Sequence, residues 1–395
     1  GQDITLIARR LAEPGPRHFF QETDTYRFVG GARGAIAGDW TWEAAVNWGR
    51  NTGVDGMTNI ANLQRVGETL NTAVCSTTPG AAIPCADYLG AGDLSQEALD
   101  YILFTSRDTG GNEQRSFTFD VTGTVLQLPA GPLAAAAGLV YREEKGWRDP
   151  DALTVLGIAN TNQQDPIAGE TKAKEAYVEL SAPLLSDLPF MQRLELDAAV
   201  RYSDYDLFGG NTTYKLGLNW SVVDSLRLRA TFGTGFRIPS VPELFGGVAE
   251  GNLTTTDPCS RYSTSGNATL IANCQASGVP ANYVQLGNTV LTTVGGNQKL
   301  SPETAETLTL GLVWQPEQVK GLSLTVDYFD IKVEDAIRSI PGSTKLAICY
   351  ASPGMNHPFC GPNNFTRSPL TGEVNFLSAQ PTNAGLETMK GVDIG

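Results

Sequence analysis

The sequence predicts an all-β protein: an up-and-down antiparallel β-barrel that crosses a membrane with its strands. Three observations carry this. Apolar and polar residues alternate with period two through most of the chain, the mark of strands with two different faces. Short and long connections alternate along the chain. The longest apolar run, "LAAAAGLVY" at 133–141, has only nine residues, whereas a membrane-spanning helix needs about 20. A closed barrel is the other structure that satisfies its backbone in lipid.

Composition agrees. The 395 residues include 43 Gly and 22 Pro, and only 18% are charged, which excludes a coiled coil and long charged helices. The net charge of −14 argues against a nucleic-acid partner, because phosphate binding needs a basic face. No Lys/Arg run offers an electrostatic membrane anchor.

Strands are expected at 3–12, 19–36, 39–51, 113–128, 132–148, 171–185, 192–207, 212–223, 225–240, 303–316 and 321–336, with a twelfth starting near 387. The alternation is plain in "RLELDAAVRYSDY", where Leu194, Leu196, Ala198, Val200 and Tyr202 share one face. Arg193, Glu195, Asp197, Arg201 and Ser203 share the other. The segments "YKLGLNWSV", "SLRLRATF", "TLTLGLVW", "LSLTVDYFD", "EAYVELSAPL", "SFTFDVTGTV" and "WTWEAAVNW" behave alike. "AGD", "PAGP", "SDLPFMQ", "VVDS" and "QPEQVKG" are short connections, whereas 52–112, 149–170, 241–302 and 337–386 are long. Every long connection then leaves from one end, as in outer-membrane barrels with short periplasmic turns and long extracellular loops. A Greek-key sandwich has no reason to alternate in this way. The chain starts strand-like at "GQDITLIARR" and breaks off strand-like at "GLETMKGVDIG", so it reads as an internal piece of a larger barrel domain spanning 1–395.

Tryptophans support lipid contact. Trp40, Trp42, Trp220 and Trp314 lie beside short turns and Trp48 and Trp147 toward the long-loop end, all with the parity of the apolar face. Interfacial girdles require that placement. Within 52–112 a helix is expected near 94–105, capped by Asp93 with Gln96 completing a capping box. Residues 52–113 hold eight acids (Asp55, Glu68, Asp87, Asp93, Glu97, Asp100, Asp108, Glu113) against Arg65 and Arg107, a local net of −6. Solubility alone accounts for such a surface; ligand attraction is the sharper reading.

The six cysteines occur as Cys75/Cys85, Cys259/Cys274 and Cys349/Cys360, each pair in one Gly/Ser/Thr/Asn/Pro-rich loop. Zinc competes with disulfides as a reading, but there is no Cys-x-x-Cys and the only histidines are His18 and His357. Membrane-spanning strands separate the three pairs, so local disulfides Cys75–Cys85, Cys259–Cys274 and Cys349–Cys360 are expected, formed in an oxidising compartment. Such loops are expected to have little core of their own. No catalytic constellation of His with Ser or Asp is evident, so neither enzyme activity nor a cofactor is expected.

The stretch "TFGTGFRIPSVPELFGG" at 231–247 sets a different kind of clue. A strand carries Arg237 on the parity of Arg227, Arg229 and Thr231, facing the barrel interior, and then meets Pro239 and Pro242. Neither proline donates a ladder hydrogen bond, so regular pairing ends there. The chain is expected to fold over the mouth, anchored by Leu244 and Phe245, with Glu243 free to meet a cation. "GFRIPSVPELF" resembles the "GFRAPS-x-x-ELF" signature of TonB-dependent outer-membrane receptors, at Gly235, Phe236, Arg237, Pro239, Ser240, Glu243, Leu244 and Phe245. "NQKLSPETAETLTLGLVW" resembles that family's following segment at Asn297, Leu300, Pro302, Glu303 and Gly311; Gln298 stands where the family usually has proline. "LTVDYFDIKVEDAI" resembles its next strand, with Tyr328, Phe329, Ile331 and Ile337 in place.

The resemblance covers 233–337 in order and spacing. It implies a barrel of 22 strands in the outer membrane of a Gram-negative bacterium, closed by an N-terminal plug. It also implies energy-coupled import of a scarce ligand, such as a ferric siderophore or another bulky nutrient, through a TonB complex. The expected partners are then outer-membrane lipid, the plug, the coupling complex and a small-molecule or iron-complex ligand. Two alternatives stay open: a passive porin-like channel, and a surface adhesin or binding β-protein. For Arg237 and Glu243, and for Arg227 and Arg229 beside them, two readings also stand, a structural corner or contact with plug or ligand.

Overall fold

The computed structural model describes residues 11–89, 94–247, 249–319, 321–383 and 385–395. The strands in chain order are β1 (Phe19–Ala35), β2 (Thr41–Ala61), β3 (Leu103–Leu128), β4 (Gly131–Asp149), β5 (Ile167–Leu188), β6 (Met191–Tyr205), β7 (Gly209–Val223) and β8 (Leu226–Arg237). They continue as β9 (Ala249–Thr254), β10 (Thr289–Val294), β11 (Glu303–Trp314), β12 (Leu324–Glu334), β13 (Ile337–Ser339), β14 (Phe365–Arg367), β15 (Val374–Ser378), β16 (Pro381–Asn383) and β17 (Glu387–Ile394). Among the described residues, 11 strands form one sheet in the order β1-β2-β3-β4-β5-β6-β7-β8-β11-β12-β17, open between its two edges. Every neighbouring pair is antiparallel.

Register places one face in lipid. Leu218, Ala230, Leu310, Tyr328 and Val392 align side by side across β7, β8, β11, β12 and β17. Phe119, Leu139, Ala176 and Tyr202 do the same across β3–β6. Large apolar side chains on this face stay exposed to solvent, Leu139 by 56% and Val392 by 57%. Lipid is the medium that makes such exposure favourable. The opposite face carries bonded polar groups: Tyr177 donates to Asp120 Oδ1 at 2.6 Å, and Ser181 donates to Glu195 Oε1 at 2.7 Å. From the level of Trp48 up to Trp147 the outward face is a paired charge band. Arg115 meets Glu113 at 2.6 Å, and Lys145 bridges Glu143 at 2.8 Å and Glu170 at 2.9 Å. The apolar belt ends there.

Several expected boundaries move. Strands β2 and β3 pair as far as Ala61↔Leu103, so their connection is 62–102 rather than 52–112. Above the lipid both faces of a strand meet water, so "TGVDGMTNIA" has no reason to alternate and the sequence gives no strand signal there. For the same reason β5 starts at Ile167 and the next loop is 150–166. The strand expected at 3–12 falls largely outside the described residues, and Leu11 and Ala12 are not in a strand.

The expected helix at 94–105 is shorter. It runs Gln96–Ile102, and Ser95, whose Oγ accepts the Ala98 amide at 3.2 Å, is its cap. Asp93 lies outside the described residues, and 103–105 belong to β3. The acidic reading of this region changes too, because Asp55, Asp108 and Glu113 are strand residues. Asp108 pairs with Arg148 at 2.8 Å, and Glu113 is buried under Arg115 and Trp48.

The three disulfides join Cys75–Cys85, Cys259–Cys274 and Cys349–Cys360. The loops they close are not coreless, contrary to expectation. The β8–β11 and β12–β17 connections interleave into a sheet of order β14-β15-β10-β9, joined by a parallel β10–β15 pair. Its core contains the Cys259–Cys274 disulfide with Tyr262, Leu346, Tyr350 and Leu377, drawn from both loops. Helices α1 (Leu63–Leu70), α2 (Gln96–Ile102), α3 (Ala152–Val155), α4 (Val241–Phe245), α5 (Ala268–Ala276) and α6 (Gly342–Ala351) all lie in loops.

Candidate functional site

Where β8 ends, the backbone turns into α4 because Pro239 breaks the ladder and Ser240 caps the helix. The Ser240 Oγ accepts the Glu243 amide at 3.4 Å, and Glu243 Oε2 accepts the Ser240 amide at 2.7 Å, a reciprocal capping box. The same Glu243 carboxylate receives Arg237 Nη1 at 2.8 Å. Arg237 Nε donates to Glu303 Oε2 at 2.7 Å, and the other Glu303 oxygen accepts the Ile337 amide. One guanidinium thus ties the end of β8, the start of β11 and the loop after β12. Burial raises the Glu243 carboxyl, but Arg237 and the Ser240 amide and hydroxyl outweigh it and hold the group below the ordinary glutamate range.

Beneath the ion cluster Leu244, Leu300 and Ile337 form a buried apolar cluster with Phe208 and Phe245 against it. Asn297 completes the corner: its amide N–H donates to Glu243 O at 2.7 Å, and its side chain donates to Pro381 O at 3.0 Å. Helix α4 then crosses to the far side of β6 and β7. A Cβ at Gly169 of β5 would meet Phe245 Cδ2 at 2.2 Å, and one at Gly146 of β4 would meet Val241 Cγ1 at 3.2 Å. Both glycines lie on the lumenal face of their strands by register. The segment after β8 therefore leans into the mouth, seated in a glycine notch.

The remaining expected residues separate. Arg229 makes a two-pronged ion pair with Asp327, at 2.7 and 2.6 Å from Nη2, across the lumenal face of Gly311. A Cβ on Gly311 would stand 2.2 Å from Asp327 Oδ1, so only glycine leaves room for the bridge. Phe329 faces inward and covers Gly391, and Tyr328 faces lipid beside Leu310 and Val392. Arg227 lies exposed on the lumenal face, opposite Ser221, and makes no ion pair among the described residues. Gly235 faces the lumen with nothing within 4 Å of its Cβ position.

Sequence reasoning missed the second ionic lock of the mouth. Arg367 Nη1 and Nη2 bond Asp257 at 2.6 and 2.8 Å, Arg367 Nε donates to Tyr350 Oη at 2.7 Å, and Tyr283 Oη donates to Asp257 at 3.0 Å. The two charged side chains are 7% and 1% exposed, so this pair sits inside the loop module. No spacing in the sequence signals it, because 257 and 367 belong to different loops.

A wall of this kind, apolar outside, ionic inside, with its mouth turned inward on an Arg–Glu corner, defines a large outer-membrane barrel. The chain belongs to the TonB-dependent receptors: residues 5–395 match the family described as TonB dependent receptor-like, beta-barrel, a family of Gram-negative outer-membrane proteins. It is similar to the vitamin B12 transporter BtuB of Vibrio vulnificus (strain CMCP6), 29% identical over 157 residues, which are 40% of this chain and 23% of that protein. Among solved structures it aligns with the RagAB peptide transporter at a TM-score of 0.51 and 14% identity, covering 96% of this chain and 34% of that one. The siderophore receptor PirA from Acinetobacter baumannii aligns at 0.42 and 14% identity, over 90% of this chain and 41% of that one. The chain thus spans well under half the length of these relatives.

Proposed function

We propose that this chain is the wall and outer mouth of a receptor that imports a bulky ligand across the outer membrane by TonB coupling. Remaining strands close the barrel, and a plug fills its lumen. The observation that carries this is the mouth itself: loops built on a shared core, anchored by Arg237 to the wall, with α4 leaning inward. A passive pore gains nothing from so much ordered structure at its entrance. The vitamin B12 transporter named above supports a scarce nutrient as cargo. The plug, on this reading, meets the lumenal cations, Arg227 first because it makes no ion pair among the described residues.

The test uses the full-length receptor in cells and in planar bilayers. Cells expressing it are given a mixture of neutral oligosaccharides, cyanocobalamin and ferric chelates, with and without an intact coupling protein. Accumulation of one probe that disappears when the coupling protein is deleted is the expected result. Energy-independent accumulation, with an open conductance of nanosiemens scale in bilayers, would establish a porin-like channel instead.

A further inference from the structure

We infer that the outer end of the β7–β8 seam holds the sugar headgroup of a glycolipid from the outer leaflet of the membrane. The site lies on the lipid face of the wall, apart from the lumen that the import reading concerns.

Among the described residues this seam has no equal in the wall. At the outer end every other neighbouring pair stays zipped until one of its strands stops. Tyr205↔Gly209, for example, joins the ends of β6 and β7, and Arg237↔Glu303 those of β8 and β11. Between β7 and β8 the last outer rung is Lys215↔Gly233, although β7 reaches outward to Gly209 and β8 to Arg237. Arg237, bound to Glu303 of β11 and Glu243 of α4, draws the end of β8 away from β7. A side chain replaces the first missing rung: the Tyr214 amide donates to Thr234 Oγ1 at 3.0 Å. Backbone groups on one edge of a strand recur every second residue. The Thr212 amide and carbonyl therefore point into the same gap, with no rung of β8 to answer them. Such an unpaired edge is a template for binding, because its donors and acceptors need partners.

Register places the gap at the level of the outer leaflet's headgroups. Outward rungs of β11 and β12 pass from Leu310↔Tyr328 through Leu308↔Asp330 to Glu306↔Lys332, so the apolar belt gives way to polar groups there. At that height lies a recess of about 220 Å³, lined by Thr212, Tyr214, Thr234, Thr304, Glu306 and Lys332, among others. Phe236 pairs with Thr304 in the ladder, but its ring stands edge-on to Tyr205 of β6, with centroids 5.6 Å apart. On the belt side of the recess Tyr214 and Phe232 come together, ring centroids 6.0 Å apart, on the face that meets lipid. A headgroup in the recess thus has its acyl chains lying against these rings.

Charge selects the kind of headgroup. Lys332, the cation of the recess, is already held by Glu334. The hydroxyls of Thr212, Tyr214 and Thr304 and the carboxylate of Glu306 make no hydrogen bond to protein among the described residues. A lipid phosphate would meet two carboxylates and no free cation. Sugar hydroxyls instead donate to Glu306 and accept from the threonines and the Thr212 amide.

The full-length receptor, stripped of lipid in a polyoxyethylene detergent whose headgroup carries no sugar, is incubated with an equimolar lipid mixture. The probes are deep-rough lipopolysaccharide, the same glycolipid dephosphorylated, phosphatidylethanolamine and phosphatidylglycerol, and native mass spectrometry identifies what is retained. Both glycolipids should be retained in preference to both phospholipids. Their affinity should fall at least tenfold in Thr304→Leu, which fills the recess, and in Glu306→Ala, which removes its free carboxylate. Thr52→Leu, outward on β2 at the level of Trp147, should leave it unchanged. Heat-modifiable migration identical to wild type shows that each variant is folded. Bound glycolipid should also slow hydrogen exchange over 209–214 while 194–204 stays the same, which a lipid lying elsewhere on the wall would not do. Retention of nothing, preference for a phospholipid, or retention of the phosphorylated glycolipid alone overturns the inference. So does retention indifferent to Thr304→Leu and Glu306→Ala, or exchange over 209–214 that glycolipid does not slow.

Discussion

Replacing Arg367 with Met should unfold the loop module and leave the barrel wall standing. Arg367 and Asp257 are 7% and 1% exposed, so removing the guanidinium strands a buried carboxylate. Tyr283 Oη and the Cys259 amide remain as its donors, too few to replace a two-pronged ion pair. Breaking a buried pair from one side costs about 3–5 kcal/mol, which raises the local opening equilibrium by roughly a hundredfold to several thousandfold. Hydrogen exchange by mass spectrometry on the full-length receptor reads this directly. Peptides covering α5 (268–276) and α6 (342–351) should lose protection together, because Asn273 of α5 donates to Tyr350 O of α6 at 3.0 Å inside the one core. A peptide covering 194–204 in β6 should not change. The double variant Asp257→Asn/Arg367→Met should recover most of the loss, since no stranded charge is left. Opening of α5 without α6 would refute the shared core, and unchanged protection of both would refute the ionic lock.

Gly311→Ala should displace Arg229 from Asp327, because the new Cβ would lie 2.2 Å from the carboxylate; overpacking of this kind costs about 1–3 kcal/mol, read as a lower unfolding temperature on heat-modifiable gels and partly recovered in Gly311→Ala/Asp327→Ala. The Glu243 carboxyl lies below its ordinary value of 4.5 in the fold, so the folded state binds fewer protons than the unfolded one there. Its stabilisation is full above 4.5 and is lost as pH falls below that toward the folded value. Exchange of residues 238–247 should therefore quicken on acidification through that window, and much less so in Glu243→Gln; equal acid sensitivity in both would show that Glu243 is not the group responsible. Reducing the three disulfides removes crosslinks over separations of 10, 15 and 11 residues, roughly 2–3 kcal/mol each in the chain-entropy model. Probe capture in the mixture experiment should weaken while the wall's heat-modifiable migration is kept, and loss of both would mean the loops hold up the barrel.

The wall was legible because lipid enforces alternation. Leu194 to Tyr202 on one face and Arg193 to Ser203 on the other follow from the two media that β6 separates. That constraint stops at the outer interface, so the upper turns of β2 and β3, rich in Gly and Asp, read as loop although they pair as far as Ala61 and Leu103. The loop module was illegible for a different reason. Its core joins Cys259, Tyr262 and Cys274 to Leu346, Tyr350 and Leu377, two groups with no common period and a membrane-crossing hairpin between them. Local cysteine spacing gave the disulfides, because each closes inside one loop; nothing local gives the Asp257–Arg367 pair. The corner was legible as a resemblance in order and spacing, but its partners were not. That Glu303 answers Arg237, and that Phe245 needs Gly169, depends on which strands become neighbours.

The corner also explains how a module resting on its own core stays aligned with the wall. Arg237 is bound to Glu243 on one side and Glu303 on the other, and both glutamates bond onward into loop backbone, to Ser240 and to Ile337. From Asn297 and Gly296 the contacts pass to Pro381 and Gln380, and from Thr293 to Ala379, which reaches β15 and the buried core. A continuous set of hydrogen bonds thus runs from the end of β8 to the centre of the module. Rigid attachment has a consequence for mechanism. A ligand that displaces the module must strain or break the Arg237 cluster, because Glu243 bonds both Arg237 and the Asn297 amide on the β8 side. The loop-side carbonyls and amides fix the module's height above the wall, while α4, seated on Gly146 and Gly169, fixes its lean into the mouth. Arg237 therefore reads as the fulcrum on which the loops are held, and Glu243 and Glu303 as the two bearings that keep it in place.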